Sequence, residues 1–473
     1  MPTAVIGGAL SLTRAFNGYG EVASEAFAIS SQDVTSWSLV RDKAGRIIEK
    51  TEAVGGVTSH YVYSYDPMGR LLTVTKDGAL VEQYQYNENG TRIAEVNTPR
   101  GIAGRSFTYS DEDHLLTAGS TTYQYDADGF LLTKTKGTEV REYSYSSRGE
   151  LLQVKLPDGR VIEYIHDPYG RRIAKAVNGT IIEKYLWQGT TTLLAVYDGS
   201  NNLLMRFEYG DTWAPLAMNK NGSTYYLTYD QAGSLRAVAD ASGNVVKRVD
   251  YDSFGNIIND TNPSFDIPFG FAVGLFDRDT GLVKFGFRDY DPDIGRWVAK
   301  DPIGFWGGDT DLYGYCLNDP INWVDPFGLD RRINPFPAGP NGPQITFVND
   351  VPGGPSTDLP VSDATAEMIE NAVRETGLSI NINSTTGGEH EPGSRHPLAM
   401  AVDIDKICGL PANEYNWYAQ ALQDAFNRQN NIRENFGPTL NTKTFENGKR
   451  AVWSTKPGIF AKHQTHIHVS GRR

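Results

Sequence analysis

Five of the chain's eight histidines fall in its last 84 residues: His390, His396, His463, His466 and His468. His396 is followed seven positions later by Asp403, and Ser394 stands two before it. Near the end the spacing is His463-x-x-His466-x-His468. Imidazole nitrogens and carboxylate oxygens are ligands that zinc accepts, and two imidazoles with one carboxylate leave a fourth position for water. Water on such an ion has a pKa of about 7 and becomes a nucleophile at neutral pH. Metal-assisted hydrolysis is therefore the chemistry this cluster offers. Alone, His-x6-Asp or His-x-His is a weak signal, because most histidines are satisfied surface or core residues. The two together, clustered in a His-poor chain, carry the reading.

Those residues need elements to hold them. Asp363 to Glu367 reads as a capped helix start, and Met368, Ile369, Ala372 and Val373 continue at helical spacing. Leu378 to Ile382 alternates as a strand, as does Ala401 to Asp405. Asn413 can cap a helix running through Trp417, Leu422 and Phe426, and His466 to Val469 alternates as a final strand. Side chains alternate along a strand, so His466 and His468 share one face, and Asp403 sits on a face between Val402 and Ile404. Asp405 shares that face as a second-shell candidate or a solvated edge residue. The expectation is a small α+β domain over 361–473. The stretch 330–360, with NPFPAGPNGPQ and VPGGPSTDLP, reads as a Pro/Gly-rich linker.

The 473 residues allow several domains, and their balance changes near residue 330. Before it, 30 basic residues face 42 acidic ones; after it, 14 face 15. Of 25 tyrosines, only Tyr415 and Tyr418 lie beyond 330. A net charge of −13 argues against general nucleic-acid binding. Two cysteines, Cys316 and Cys408, cannot make a disulfide framework. No run of about 18 apolar residues suggests a membrane span, and MPTAVIGGALSLTRAF does not read as a signal peptide.

The first part is a repeat. Tyr63-Ser64-Tyr65-Asp66 leads into Pro67-Met68-Gly69-Arg70-Leu71-Leu72, and Tyr84-Gln85-Tyr86-Asn87 into Asn89-Gly90-Thr91-Arg92-Ile93. The same unit returns at Tyr123-Gln124-Tyr125-Asp126, Tyr143-Ser144-Tyr145-Ser146 and Tyr164-Ile165-His166-Asp167, with later copies at Tyr229-Asp230 and Tyr251-Asp252. From Asp66 to Asp252, nine steps of about 21 residues fit, a period that signals a repeat architecture. Tyr-x-Tyr puts two rings on one strand face. Asp-x-x-Gly is a turn in which Asp caps the bend and Gly takes positive φ. Each unit is strand, turn, strand, and hairpins that cannot bury a face alone must pair with their neighbours.

These copies resemble the YD repeats of Rhs and teneurin-like proteins over roughly 35–329. The resemblance implies a multidomain chain: an all-β YD-repeat shell, a coiled antiparallel sheet over 1–284, followed by the small α+β domain. With so few repeats, an open or partial shell is expected. Residues 285–329 carry Asp301-Pro302-Ile303-Gly304, Asp319-Pro320 and Asp325-Pro326-Phe327-Gly328-Leu329, and resemble the Rhs-associated core with its terminal D-P-x-G-L. That resemblance implies self-cleavage between Leu329 and Asp330, with Asp301 and Asp325 as an aspartyl pair and Asp319 and Asp311 as lesser candidates. Two close carboxyls cannot both ionise cheaply, so one serves as acid and the other as base.

The segment SRHPLAMAVDID resembles the S-x-H-x-x-x-A-x-D signature of the LAS metallopeptidases, and HIHV resembles their H-x-H motif. The resemblance implies Zn2+ on His396, Asp403 and His468, with His466 as general base or oxyanion partner and His463 as an auxiliary. The D-Ala-D-Ala branch has a Glu three residues before its last ligand. Here His463 precedes His466 by three and Thr465 precedes His468 by three, which leaves the base open. Together the resemblances imply a polymorphic toxin whose warhead hydrolyses peptidoglycan peptide bonds. Its partners would be a peptidoglycan or peptide substrate, a cognate immunity protein and a specialised secretion machinery, with no nucleic acid and no membrane span. It would be made in the cytoplasm and act outside the producing cell. Two other readings compete: a nuclease-type toxin, which the near-neutral C-terminal part lacks the basic cluster to serve, and a non-enzymatic wall-associated repeat protein.

Overall fold

The computed structural model describes residues 2–6, 9–18, 21–189, 191–210, 213–307 and 309–329, and beyond them 332–333, 345–347, 369, 380–384, 401–407, 410–411, 422–423, 426, 432–436, 441–444, 450–452 and 467–471. The chain divides into two compact units: Met1–Trp187 with Thr191–Pro340, and Asn341–Arg473 with Gln188–Thr190.

The first unit is an all-β antiparallel meander. Each strand pairs with the next from Pro2–Ile6 through Thr180–Gln188, and again from Thr192–Asp198 through Ile257–Asp260. Among the described residues no pairing joins the last of these strands to the first, so the sheet stays open. Local chemistry makes the hairpins. Asp66 Oδ1 accepts from the backbone N–H groups of Met68 and Arg70, at 2.9 and 3.0 Å, while Gly69 takes φ +87°. The same pair of bonds recurs at Asp126, Asp167, Asp230 and Asp252. This satisfies turn N–H groups that have no ladder partner.

The tyrosines divide the labour. The first ring of each pair (Tyr63, Tyr84, Tyr123, Tyr143, Tyr164) is buried in the core. Several second rings reach back about one repeat to a backbone carbonyl: the Tyr65 hydroxyl donates to Ile47 O at 2.6 Å, Tyr86 to Leu71 O at 2.7 Å, and Tyr109 to Arg92 O at 2.7 Å, while Tyr145 reaches Val298 O of the covering segment at 3.4 Å. Tyr209 and Tyr229 do the same to Leu193 and Pro215, and Trp187 Nε1 to Arg172 O. Two rings on one strand face could stack in rows with those of neighbouring strands. Instead, among the described tyrosines of the sheet only Tyr61 and Tyr63 stack on each other. The repeat selects Tyr because an apolar ring with a hydroxyl tip buries area and also satisfies a carbonyl.

The buried face is covered in two ways. Strands between Leu10 and Val54 meet strands between Tyr185 and Ala239 in one apolar cluster. Thr35 and Thr228 hydroxyls bond at 2.7 Å across that seam, and Arg236 bonds Glu52. The rest of the face is covered by residues 265–329, which contain a small antiparallel sheet of Leu275–Phe276, Val283–Phe285, Arg288–Asp291 and Arg296–Trp297. Leu282, Ile294 and Val298 pack among the repeat tyrosines. Acidic residues of this covering segment take up cations of the repeat strands. Lys134 meets Asp291 at 2.7 Å and Asp293 at 3.0 Å, Arg172 meets Asp289 at 2.7 Å, and Lys175 meets Asp277 at 2.9 Å. Buried cations without such partners would be strongly destabilising.

In the second unit the described strands form one sheet. Ile345–Phe347 runs parallel to Ile380–Ser384. Then follow Ala401–Ile407, Ile467–Gly471, Ile432–Phe436, Asn441–Thr444 and Arg450–Val452 in that spatial order, each antiparallel to its neighbour. Residues 369, 422, 423 and 426 are helical, and Ile369, Leu422 and Phe426 are buried. The expected linker over 330–360 lies almost wholly outside the described residues.

Candidate functional site

Two places bear on the residues singled out by sequence. The first is the end of the covering segment. Strand Val283–Phe285 and strand Arg288–Asp291 are joined by a tight turn at Gly286 and Phe287. Gly286 has φ +40°, and a Cβ there would lie 2.3 Å from Phe327 O. Only glycine lets the chain ending in Leu329 lie this close. Phe287 N–H donates to Phe327 O at 2.8 Å, and Leu329 N–H donates to Asp325 Oδ1 at 2.9 Å. Asp325, four residues before Leu329, thus holds the amide of the residue whose carbonyl belongs to the expected scissile bond. Leu329 is buried; Asp330 lies outside the described residues.

The structure brings Asp301 and Asp325 to one group that sequence reasoning missed. The Arg288 guanidinium meets Asp301 Oδ2 at 2.7 Å and Asp325 Oδ2 at 3.5 Å, both through Nη2. Its Nε donates to Gly328 O at 2.5 Å and its Nη1 to Leu312 O at 3.1 Å, while its plane lies over Trp297 at 4.3 Å. All three charged side chains are buried. A shared cation compensates both carboxylates, which the expected pair of two close carboxyls did not include. The one available signal was an arginine set among aromatics in Phe285-Gly286-Phe287-Arg288. A small recess, about 20 Å3 open to the centre of a water-sized sphere, is lined by Arg288, Asp301, Asp311, Cys316, Asp325 and Leu329. That is room for about one water.

The two lesser candidates are engaged elsewhere. Asp311 lines the recess but is held by Arg296 at 2.5 and 2.8 Å. Asp319 faces Asn322 and the repeat strands, and its oxygens accept from Asn322 Nδ2 at 3.0 and 2.9 Å. Burial pushes Asp319 up to about 7, against the pull of those hydrogen bonds.

The second place is the C-terminal sheet. Asp403 and His468 are register partners of adjacent antiparallel strands, flanked by Val402 opposite Val469 and Ile404 opposite Ile467. Opposite positions of such a ladder lie on one face of the sheet. On its other side the same strand pairs His468 with Phe436. The described strand begins at Ile467 rather than at His466. His396, His463 and His466 lie outside the described residues. Among the described residues no cluster of three metal-binding side chains occurs, and no helix is long and apolar enough to cross a membrane.

An open antiparallel sheet of Tyr-x-Tyr hairpins, with its buried face covered by the segment that ends in Asp-Pro-Phe-Gly-Leu, defines a YD-repeat shell protein. The teneurin YD-shell family profile matches residues 4–321, and the chain belongs to that family. It is 28% identical over 404 residues to Teneurin-3 of Danio rerio, covering 81% of this chain and 14% of that protein. It is 29% identical over 384 residues to Teneurin-1 of Homo sapiens, covering 76% and 13%. It is 27% identical over 344 residues to the double-stranded DNA deaminase toxin A of Burkholderia cenocepacia (strain H111), covering 65% and 23%. The chain therefore spans about one seventh of the length of the teneurins it matches. Among solved structures, the Photorhabdus luminescens Tc holotoxin pore matches with a TM-score of 0.43 and 16% identity, covering 68% of this chain and 20% of that one.

Proposed function

We propose that this chain is a toxin-like carrier that cuts itself after Leu329 and frees a C-terminal zinc peptidase directed at peptidoglycan. The observation that carries the first half is the grip on Leu329. Asp325 holds its amide, Arg288 holds the carbonyl before it, and Asp301 stands on the same guanidinium, beside a recess with room for one water. In the step, one carboxylate takes a proton from that water, and the hydroxide adds to the Leu329 carbonyl. The other carboxyl gives a proton to the departing Asp330 nitrogen as the C–N bond breaks. One water is consumed, and a carboxylate and an amine are formed. The relative named as a DNA deaminase toxin supports the toxin reading.

The register of Asp403 opposite His468 supports the second half, since a carboxylate and an imidazole on one face suit zinc as two of its ligands. His396 would supply the third ligand, and His466 would serve as base or oxyanion partner. Bound zinc would polarise the substrate carbonyl and acidify a water. The test is the full chain, wild type and Asp301→Asn, followed by intact mass and metal content. The reading requires pieces of 329 and 144 residues from the wild type alone, one zinc per chain, and shortened stem peptides from purified peptidoglycan. Deaminated DNA in place of cut stem peptides would move the warhead to nucleic-acid chemistry.

A further inference from the structure

Strands from Ile47 to Tyr86 meet two turns from late in the chain, 252–256 and 319–322, around a second cavity. About 40 Å3 of it is open to the centre of a water-sized sphere, room for a water or two. Its wall carries Lys50, Glu52, Glu82, Asp230, Arg236 and Asp252, and Pro320 and Ile321 complete it. The charges are unevenly paired. Arg236 bonds Glu52 at 3.2 and 3.0 Å and Asp250 at 2.9 Å, and Lys50 lies 3.7 Å from Glu52. Asp230 faces Lys50, Glu52 and Arg236. Both cations therefore serve one side of the cavity.

Glu82 is on the other side and has no ion pair among the described residues. Its oxygens accept from the Tyr84 hydroxyl at 2.6 Å and from Ser253 N–H at 3.2 and 3.3 Å. Its neighbour Asp252 is better served. Asp252 accepts from Asn97 Nδ2 at 2.9 Å, Asn256 Nδ2 at 2.8 Å and the N–H groups of Phe254 and Asn256, with Arg100 at 3.9 Å and Glu95 also facing it. Tyr61 and Tyr63 close the cavity with uncharged rings. Of two adjacent buried carboxyls, the one lacking a cation keeps the proton. Burial, then the charge of Asp252, pushes Glu82 up to about 7.

The second turn is attached differently, through an amide rather than an acid. Asp319 holds Asn322, and Asn322 accepts Ile47 N–H at 2.7 Å and donates to the Tyr65 hydroxyl at 3.0 Å.

We propose that Glu82 is a proton-operated latch that ties the 252–256 turn to the early strands, closed when the acid is protonated and loosened when it ionises and its charge faces Asp252 across that contact. An acid whose folded pKa exceeds its ordinary value gives its full stabilisation below the ordinary value. It loses that stabilisation as pH rises toward the folded value. For Glu82 the window runs from 4.5 to about 7, which corresponds to about a 300-fold change in the opening equilibrium. The latch stands whether or not the chain cuts itself.

Hydrogen exchange of the full chain between pH 5 and 8.5, corrected for intrinsic rates, tests it. In the wild type, protection of 79–86 and 250–256 falls by about two orders of magnitude as pH rises from 5 to about 7 and then levels off, while 131–145 stays level. Glu82→Gln mimics the protonated acid and keeps 79–86 and 250–256 protected throughout. Flat wild-type protection, or a Glu82→Gln protein that loosens like the wild type, overturns the proposal. Should that variant fail to fold, infrared titration of the wild type decides. A protonated-carboxyl band that fades near pH 7 supports the latch, and its absence at pH 6 refutes it.

Discussion

Replacing Arg288 should silence the segment that ends at Leu329. Arg288→Met keeps an apolar stem near Trp297 but removes every polar contact of the guanidinium. Asp301 and Asp325, both buried, then share no cation, and the Gly328 carbonyl loses its donor, while Leu312 O keeps the Asp301 N–H. Removing one partner of a buried ion pair costs about 3–5 kcal/mol. The orphaned Gly328 carbonyl adds about 1–3 kcal/mol. The terms overlap, because an acid without its cation takes up a proton and the segment relaxes. A net of about 4 kcal/mol is a fair figure, and on the barrier to self-cleavage it corresponds to about 10³-fold slower splitting. Arg288→Lys keeps the charge but not the planar fork, so one ammonium cannot serve two carboxylates and two carbonyls. About half the loss, roughly 2 kcal/mol or 30-fold, is expected there. The assay is the time course of the 329- and 144-residue pieces by intact mass after synthesis, with thermal melting to show that the repeat sheet is folded. Arg288→Met protein that is folded and splits at the wild-type rate would refute the reasoning.

Asp301→Asn and Asp325→Asn should each leave the chain whole on the same gel or mass assay. Cleavage surviving Asp325→Asn would bring the Arg296-bound Asp311 back into question. Gly286→Ala should also slow splitting, by pushing the segment of Phe327 away from Arg288, and a crystal or exchange measurement should show 325–329 displaced. Tyr86→Phe removes a hydroxyl and strands the Leu71 carbonyl, so chemical denaturation should report a loss of about 1 kcal/mol. His468→Ala and Asp403→Ala should abolish bound zinc in the full chain, whereas His466→Ala should keep zinc and lower the rate. The reverse pattern would exchange the roles of His466 and His468.

The hairpins were legible because their causes are local. Asp66, two residues from Met68 and four from Arg70, can reach both N–H groups without help from the rest of the molecule, and Gly69 permits the bend. Repeated copies of that chemistry at a near-constant period leave antiparallel pairing of neighbours as the natural outcome, and the alternation of Tyr-x-Tyr decides which face is apolar. Asp301 and Asp325 could be marked through their Asp-Pro turns and through the segment they resemble. The sequence also marked Asp403 and His468 as strand residues, but it said nothing of their register. Only tertiary structure decided what meets across the sheet. Arg288 serves both acids because a tight turn at Gly286 lays its strand against Phe327. Arg236 reaches Glu52 across 184 residues, and Asn322 reaches Ile47 across 275, because the sheet curls and the late turns dock on its early strands. The unpaired state of Glu82 among the described residues has the same origin, since it depends on which side of a cavity receives Lys50 and Arg236. Turn geometry is a property of four or five consecutive residues. Charge pairing inside a fold is a property of distances between residues far apart in the chain, and no local period encodes them.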